Sequence, residues 1–194
     1  MSLPNILTLS RIPLMFAIVG LLYGSWQGAA TLGFVLFVIA GVTDWLDGSI
    51  ARKRGVVSNF GILMDALTDK ILMIGIKVAF VELNKVNIFL VLLIIGREFL
   101  ITGMRLVAAS KGVVVSAEKA GKQKTVTQIL AIGAFLLADM LSRDWAAWFA
   151  LDLGSLVRFL DQGGLVLFIL ATVFTLTSGY RYIRKYGHLV FTEN

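Results

Sequence analysis

The sequence predicts an all-α, polytopic integral membrane protein: a six-transmembrane-helix bundle with a short N-terminal interfacial segment. Three observations predict it. Of the 194 residues, 58% are apolar and only 15% are charged, far from the balance of an ordinary globular domain. The apolar residues fall in helix-length runs, and about 20 residues of helix cross roughly 30 Å of hydrocarbon. The runs also lack the alternation of a barrel strand, so helices are left as the way to satisfy backbone groups in lipid.

The first run covers about 5–25. It opens on the amphiphilic stretch Leu3-Pro4-Asn5-Ile6-Leu7-Thr8, which is expected to lie along the inner interface before the chain turns into the bilayer. Arg11, the apolar stretch Ile12 to Tyr23 and the small residues Gly28, Ala29 and Ala30 also resemble a secretory leader. No other positive side chain precedes Arg11, so retention is the expectation. The next runs cover about 30–52, 60–82, 86–109, 119–141 and 158–183. Between the last two, Asp144 to Ser155 carries Trp145, Trp148 and Phe149; it is too short to span and reads as an interfacial segment on the outer side. No repeat and no second domain is visible, so residues 1–194 form one membrane domain.

Charge sorts the gaps. Arg11, Arg52, Lys53, Arg54, Lys111, Lys119, Lys122, Lys124, Arg181, Arg184 and Lys185 fall on one side, against Lys85, Arg143 and Arg158 on the other. The positive-inside rule then makes both termini cytoplasmic. The net charge of +6 is thereby assigned to anionic headgroups rather than to nucleic acid. The chain has no cysteine, which excludes disulfides and thiolate metal sites.

Asp44, Asp47, Asp65 and Asp69 lie within the second and third runs, where a charge costs several kcal/mol unless paired, hydrated or metal-bound. Asp44, Asp47, Gly48, Ala51 and Arg52 share one helical face, and Gly61, Asp65 and Asp69 form a second stripe at intervals of four. The short polar connection from Lys53 to Asn59 makes the two helices antiparallel neighbours, so the four carboxylates converge. Mutual repulsion at such a cluster is relieved by hard divalent cations with oxygen ligands, Mg²⁺ or Mn²⁺. The small residues leave room for a bulky ligand, and Arg52 offers a fork to phosphate oxygens. Two other uses of these acids stay open on spacing alone: ion pairing with Lys70, Lys77, Arg52 or Arg97, or a pathway for a transported cation.

Read as one string, Asp44-Trp45-Leu46-Asp47-Gly48-Ser49-Ile50-Ala51-Arg52, eight residues, then Gly61-Ile62-Leu63-Met64-Asp65-Ala66-Leu67-Thr68-Asp69 resembles the signature of the CDP-alcohol phosphotransferase family. That pattern is D-x-x-D-G-x-x-A-R-x8-G-x3-D-x3-D, and every fixed position and the spacer agree. The resemblance implies a six-helix membrane enzyme, usually a homodimer, with a site open to the cytoplasm. Asp44, Asp47, Asp65 and Asp69 would hold two divalent metal ions, Gly48, Arg52 and Gly61 would meet the CDP-lipid, and Asp69 would also be the base that deprotonates the acceptor hydroxyl.

A second set of residues narrows the acceptor. Gly96-Arg97-Glu98-Phe99, Gly103-Met104-Arg105-Leu106, Gly121-Lys122-Gln123-Lys124-Thr125 and Gln128, with Pro4-Asn5, Thr8 and Arg11, resemble the branch of the family that uses CDP-diacylglycerol and sn-glycerol 3-phosphate, giving phosphatidylglycerophosphate and CMP. Arg97 and Arg105, eight apart on one helical face, with Lys122 and Lys124, suit an acceptor that carries its own phosphate; Asn5, Thr8 and Arg11 are additional candidate contacts. Inositol phosphate is the alternative acceptor, and a cation transporter is the alternative class. Glu98 is expected to pair with a neighbouring cation and orient it. Lys77, two turns past Asp69, is expected to snorkel or to form an ion pair, and His188 to be solvated.

Overall fold

The computed structural model describes the backbone of residues 3–54, 59–110, 113 and 119–191, and the side chains of 10–43, 70–110, 113 and 123–187. Every regular element among them is helical. α1 spans Leu3–Tyr23, α2 Ala29–Arg54, α3 Asn59–Glu82, α4 Ile88–Ser110 and α5 Lys119–Met140. α5 is followed directly by a π-helical turn, Leu141–Trp145, and by the short α6, Ala146–Phe149, before α7, Gly154–Phe191. Six long helical bodies therefore occupy the six apolar runs.

Two local expectations change. The amphiphilic stretch at the N-terminus is no separate segment: it forms the first turns of α1, which continues through Pro13. Pro4 sits at the second position of that helix, where a missing N–H removes no intrahelical bond. The outer segment also differs, because helix continues through Phe149 and ends where Ala150 adopts φ 50°. Trp148 and Phe149 are exposed, but Asp144 is buried at 1% exposure.

That burial has a structural use. Asp144 Oδ1 accepts from the backbone N–H of Gly28 (2.9 Å), and Oδ2 accepts from the backbone N–H and the hydroxyl of Thr31 (2.7 Å each). These donors sit at the start of α2, whose first N–H groups have no intrahelical acceptor and favour a negative partner. The preceding residue, Arg143, donates to the carbonyls of Leu22 and Gly24 at the end of α1. One turn thus ties down both sides of the α1–α2 loop, where Gly28 takes the φ of 99° that a side chain resists.

α5 packs along α7, α1 lies against α3 and α2, and α4 leans on α7 and α3. The core between them is built from Ile18, Phe37, Ile76, Phe80, Phe135 and Phe168 among others. Phe80 and Phe135 meet edge to face at 5.2 Å, an arrangement the ring quadrupoles favour. Lys85 bridges Asp139 and Asp161 at 3.0 Å each, joining the α3–α4 turn to α5 and α7.

The outward faces are apolar: Phe16, Val38, Leu92, Leu130, Val166 and Phe159 are all exposed, the last at 71%. A bundle in water turns polar residues outward, whereas a lipid-facing surface is as apolar as the interior. Gln123–Phe149 and Gly154–Gly187 are each long and apolar enough to cross a membrane, and Ser10–Tyr23 and Ala29–Thr43 are shorter apolar helices within the described residues.

Candidate active site

The described residues line a half-open cavity of about 780 Å³ between α2 and α3, bordered by α1, α4 and α5. Its α2 lining runs from Phe37 to Thr43 and its α3 lining lies between Lys70 and Lys77. Asp44 follows Thr43 and Asp69 precedes Lys70 in the sequence, at the two edges of the described side chains. By helical register Asp44 follows Ala40 by four, Asp47 follows Thr43 by four and Met73 follows Asp69 by four.

The helical backbone at Asp44, Asp47, Gly48, Arg52, Gly61, Asp65 and Asp69 is as the spacing requires, on α2 and α3; their side chains lie outside the described residues, as do those of Asn5, Thr8, Lys122 and His188. Among the described residues no three His, Cys, Asp or Glu side chains gather into a metal site. The motif acids would offer an all-oxygen donor set of the kind Mg²⁺ and Mn²⁺ take.

The polar lining includes Arg11, Lys70, Lys77, Glu98, Thr125 and Gln128. Glu98 Oε1 contacts Lys124 Nζ in a close ion pair and lies 3.6 Å from Arg97 Nη1. The sequence expectation that Glu98 orients a neighbouring cation fits this geometry, with two cations on one carboxylate oxygen. Lys124 is buried at 8% exposure, so its charge is balanced by Glu98 rather than by water.

Arg97 turns away from the cavity toward α7, where its Nη2 donates to Ser178 Oγ at 2.8 Å. Arg105 lies two turns further along α4, exposed, its guanidinium 5.5 Å from the ring centre of Tyr182. The predicted shared face of Arg97 and Arg105 is real, and it is the face against α7. Arg11 borders the cavity from α1.

Lys77 corrects the reading of its sequence position. It does not snorkel: at 2% exposure it donates to Gln128 Oε1 over 2.8 Å, and Gln128 Nε2 donates in turn to Thr175 Oγ1 at 3.2 Å. The Thr175 hydroxyl donates in its turn to the Ala171 carbonyl, so a polar chain crosses α3, α5 and α7. Sequence reasoning singled out Lys77 and Gln128 but had no signal that pairs residues 51 positions apart.

Comparison with known proteins gives this geometry its context. Residues 1–156 match the family model described as CDP-alcohol phosphatidyltransferase. The chain is 38% identical over 205 residues to the CDP-diacylglycerol--glycerol-3-phosphate 3-phosphatidyltransferase of Bacillus subtilis (strain 168), covering 100% of this chain and 99% of that one. A protein of the same name from Rickettsia typhi is 33% identical over 94% of this chain and 96% of its own. A rice protein named cardiolipin synthase (CMP-forming) is 33% identical over 70% of this chain but 46% of its own length.

Proposed function

The chain belongs to the CDP-alcohol phosphatidyltransferase family, and from that premise we propose that it transfers the phosphatidyl group of CDP-diacylglycerol to sn-glycerol 3-phosphate, giving phosphatidylglycerophosphate and CMP. One observation carries the acceptor: similarity end to end, over 100% and 99% of the two chains, with a bacterial enzyme named for that reaction.

In the reaction a primary hydroxyl of the acceptor attacks the phosphorus bonded to diacylglycerol. A new P–O bond forms, the bond to CMP breaks, and the hydroxyl proton must leave. Asp69 is assigned as its recipient, since a carboxylate beside the acceptor can take the proton as the hydroxyl attacks. Asp44, Asp47, Asp65 and Asp69 would hold two divalent ions, Mg²⁺ or Mn²⁺, which when bound neutralise charge on the pyrophosphate and the departing CMP. Gly48 and Gly61 leave the CDP moiety close access to backbone, and Arg52 meets its phosphate oxygens.

Arg97, Arg105, Lys122 and Lys124 are assigned to the phosphate of the acceptor, with Asn5, Thr8 and Arg11 as further contacts at the α1 side. Of the described residues assigned to the acceptor, Arg11 borders the cavity, while Arg97 and Arg105 stand against α7. Six spans, a cytoplasmic site in the inner membrane, both termini inside and a homodimer complete the proposal.

Acceptor exchange tests the assignment. With CDP-diacylglycerol and Mg²⁺ or Mn²⁺ fixed, sn-glycerol 3-phosphate should drive CMP release and inositol 1-phosphate should not; the reverse order overturns the acceptor.

A further inference from the structure

α7 begins at Gly154, so all but its first turn lies beyond residue 156, where the family match ends. Yet this helix holds both arginines assigned to the acceptor. Ser178 Oγ receives Arg97 Nη2 at 2.8 Å, and the Tyr182 ring lies under Arg105. Gly179 sits between them in sequence, and a Cβ placed there would come within 2.8 Å of Arg97 Cγ and 3.0 Å of its Nε. Ordinary contact begins near 3.4 Å, so the stem of Arg97 occupies the space that the missing side chain leaves.

A glycine inside a helix costs about 1 kcal/mol relative to alanine, so an interior glycine at a close contact points to the neighbour it admits. Arg97 Nε and Tyr182 Oη are buried with no hydrogen-bond partner among the described residues. Both lie in the α4–α7 seam, where Tyr182 packs on Ile101 and Met104. The seam therefore fixes the arginine stems by packing and by one hydrogen bond, and leaves donor capacity uncommitted.

We infer that Ser178, Gly179 and Tyr182 are positioning residues for the acceptor phosphate, α7 setting where the guanidinium groups of Arg97 and Arg105 stand. This rests on the reading that those arginines meet the phosphate of sn-glycerol 3-phosphate. A guanidinium moved by even part of an ångström loses the aligned pair of hydrogen bonds that makes arginine a phosphate ligand.

The test is initial-rate kinetics on full-length protein in mixed micelles, varying one substrate at a time, with thermal unfolding beside it. Gly179→Ala should raise the apparent KM for sn-glycerol 3-phosphate about tenfold while that for CDP-diacylglycerol stays within about twofold. Unfolding temperature should not fall in proportion, because alanine favours the helix. Ser178→Ala should raise the same KM several-fold and Ser178→Thr, which keeps the hydroxyl, should restore it. That pair carries the test if Gly179→Ala does not fold.

Equal rises in both KM values, or Ser178→Ala and Ser178→Thr behaving alike, overturn the inference. If Arg97→Ala raises the acceptor KM while the α7 variants leave it unchanged, the inference fails and the proposed function stands. Wild-type protein that releases no CMP in response to sn-glycerol 3-phosphate overturns both.

Discussion

Thr31 is held by Asp144 from a distance of 113 residues: one carboxylate oxygen accepts both its backbone N–H and its hydroxyl, each at 2.7 Å. The contact seats the start of α2 on the turn after α5, and α2 is the helix that carries Asp44 and Asp47. Asp144→Ala removes the acceptor for three donors and should lower stability by about 1–3 kcal/mol. Unfolding in detergent measures it; an unchanged midpoint would contradict the role given to Asp144.

The buried Lys77–Gln128 pair makes a second prediction. Gln128→Leu leaves the ammonium without its amide oxygen and should cost about 1–3 kcal/mol. Adding Lys77→Met to that variant removes the stranded charge and should recover part of the loss, because replacing both partners is milder than replacing one. A double-mutant cycle reads the coupling; purely additive effects would mean that the two side chains do not act together.

Arg105→Ala should raise the apparent KM for sn-glycerol 3-phosphate several-fold more than that for CDP-diacylglycerol. Kinetics with each substrate varied in turn decides it. Equal effects would move Arg105 to the pyrophosphate shared by every acceptor.

Chelation should abolish CMP release, and Mg²⁺ or Mn²⁺ should restore it, since hard cations are the partners that the four aspartates would require in the proposed site. Asp44→Asn and Asp65→Asn should each reduce activity by at least about 100-fold, equivalent to roughly 3 kcal/mol of transition-state stabilisation. Full activity in the presence of chelator would contradict a metal-dependent site.

The helices were legible because hydropathy and helix length are local properties: six apolar runs became six helical bodies with ends shifted by a few residues. The backbone that carries the acid motif is helical, as its spacing requires, while its side chains lie outside the described residues. What escaped the sequence is contact between distant residues. Asp144 read as part of a polar outer segment, since its donors Gly28 and Thr31 lie in another part of the chain. Lys77 read as a snorkelling or ion-paired lysine, because Gln128 lies a helix and a loop away. Ser178 and Gly179 drew no attention in an apolar run, because a small residue reveals its use only when Arg97 is seen against it.

The central claim is phosphatidyl transfer to sn-glycerol 3-phosphate with Asp69 as the base. Its most direct measurement follows wild type and Asp69→Asn with labelled CDP-diacylglycerol, sn-glycerol 3-phosphate and Mn²⁺ or Mg²⁺, reading lipid product and CMP together. Wild type should form phosphatidylglycerophosphate and CMP in equal amounts, and Asp69→Asn should form neither above about 1% of that rate. Wild-type protein that carries metal ions across vesicles without releasing CMP, or Asp69→Asn at full rate, would contradict the account.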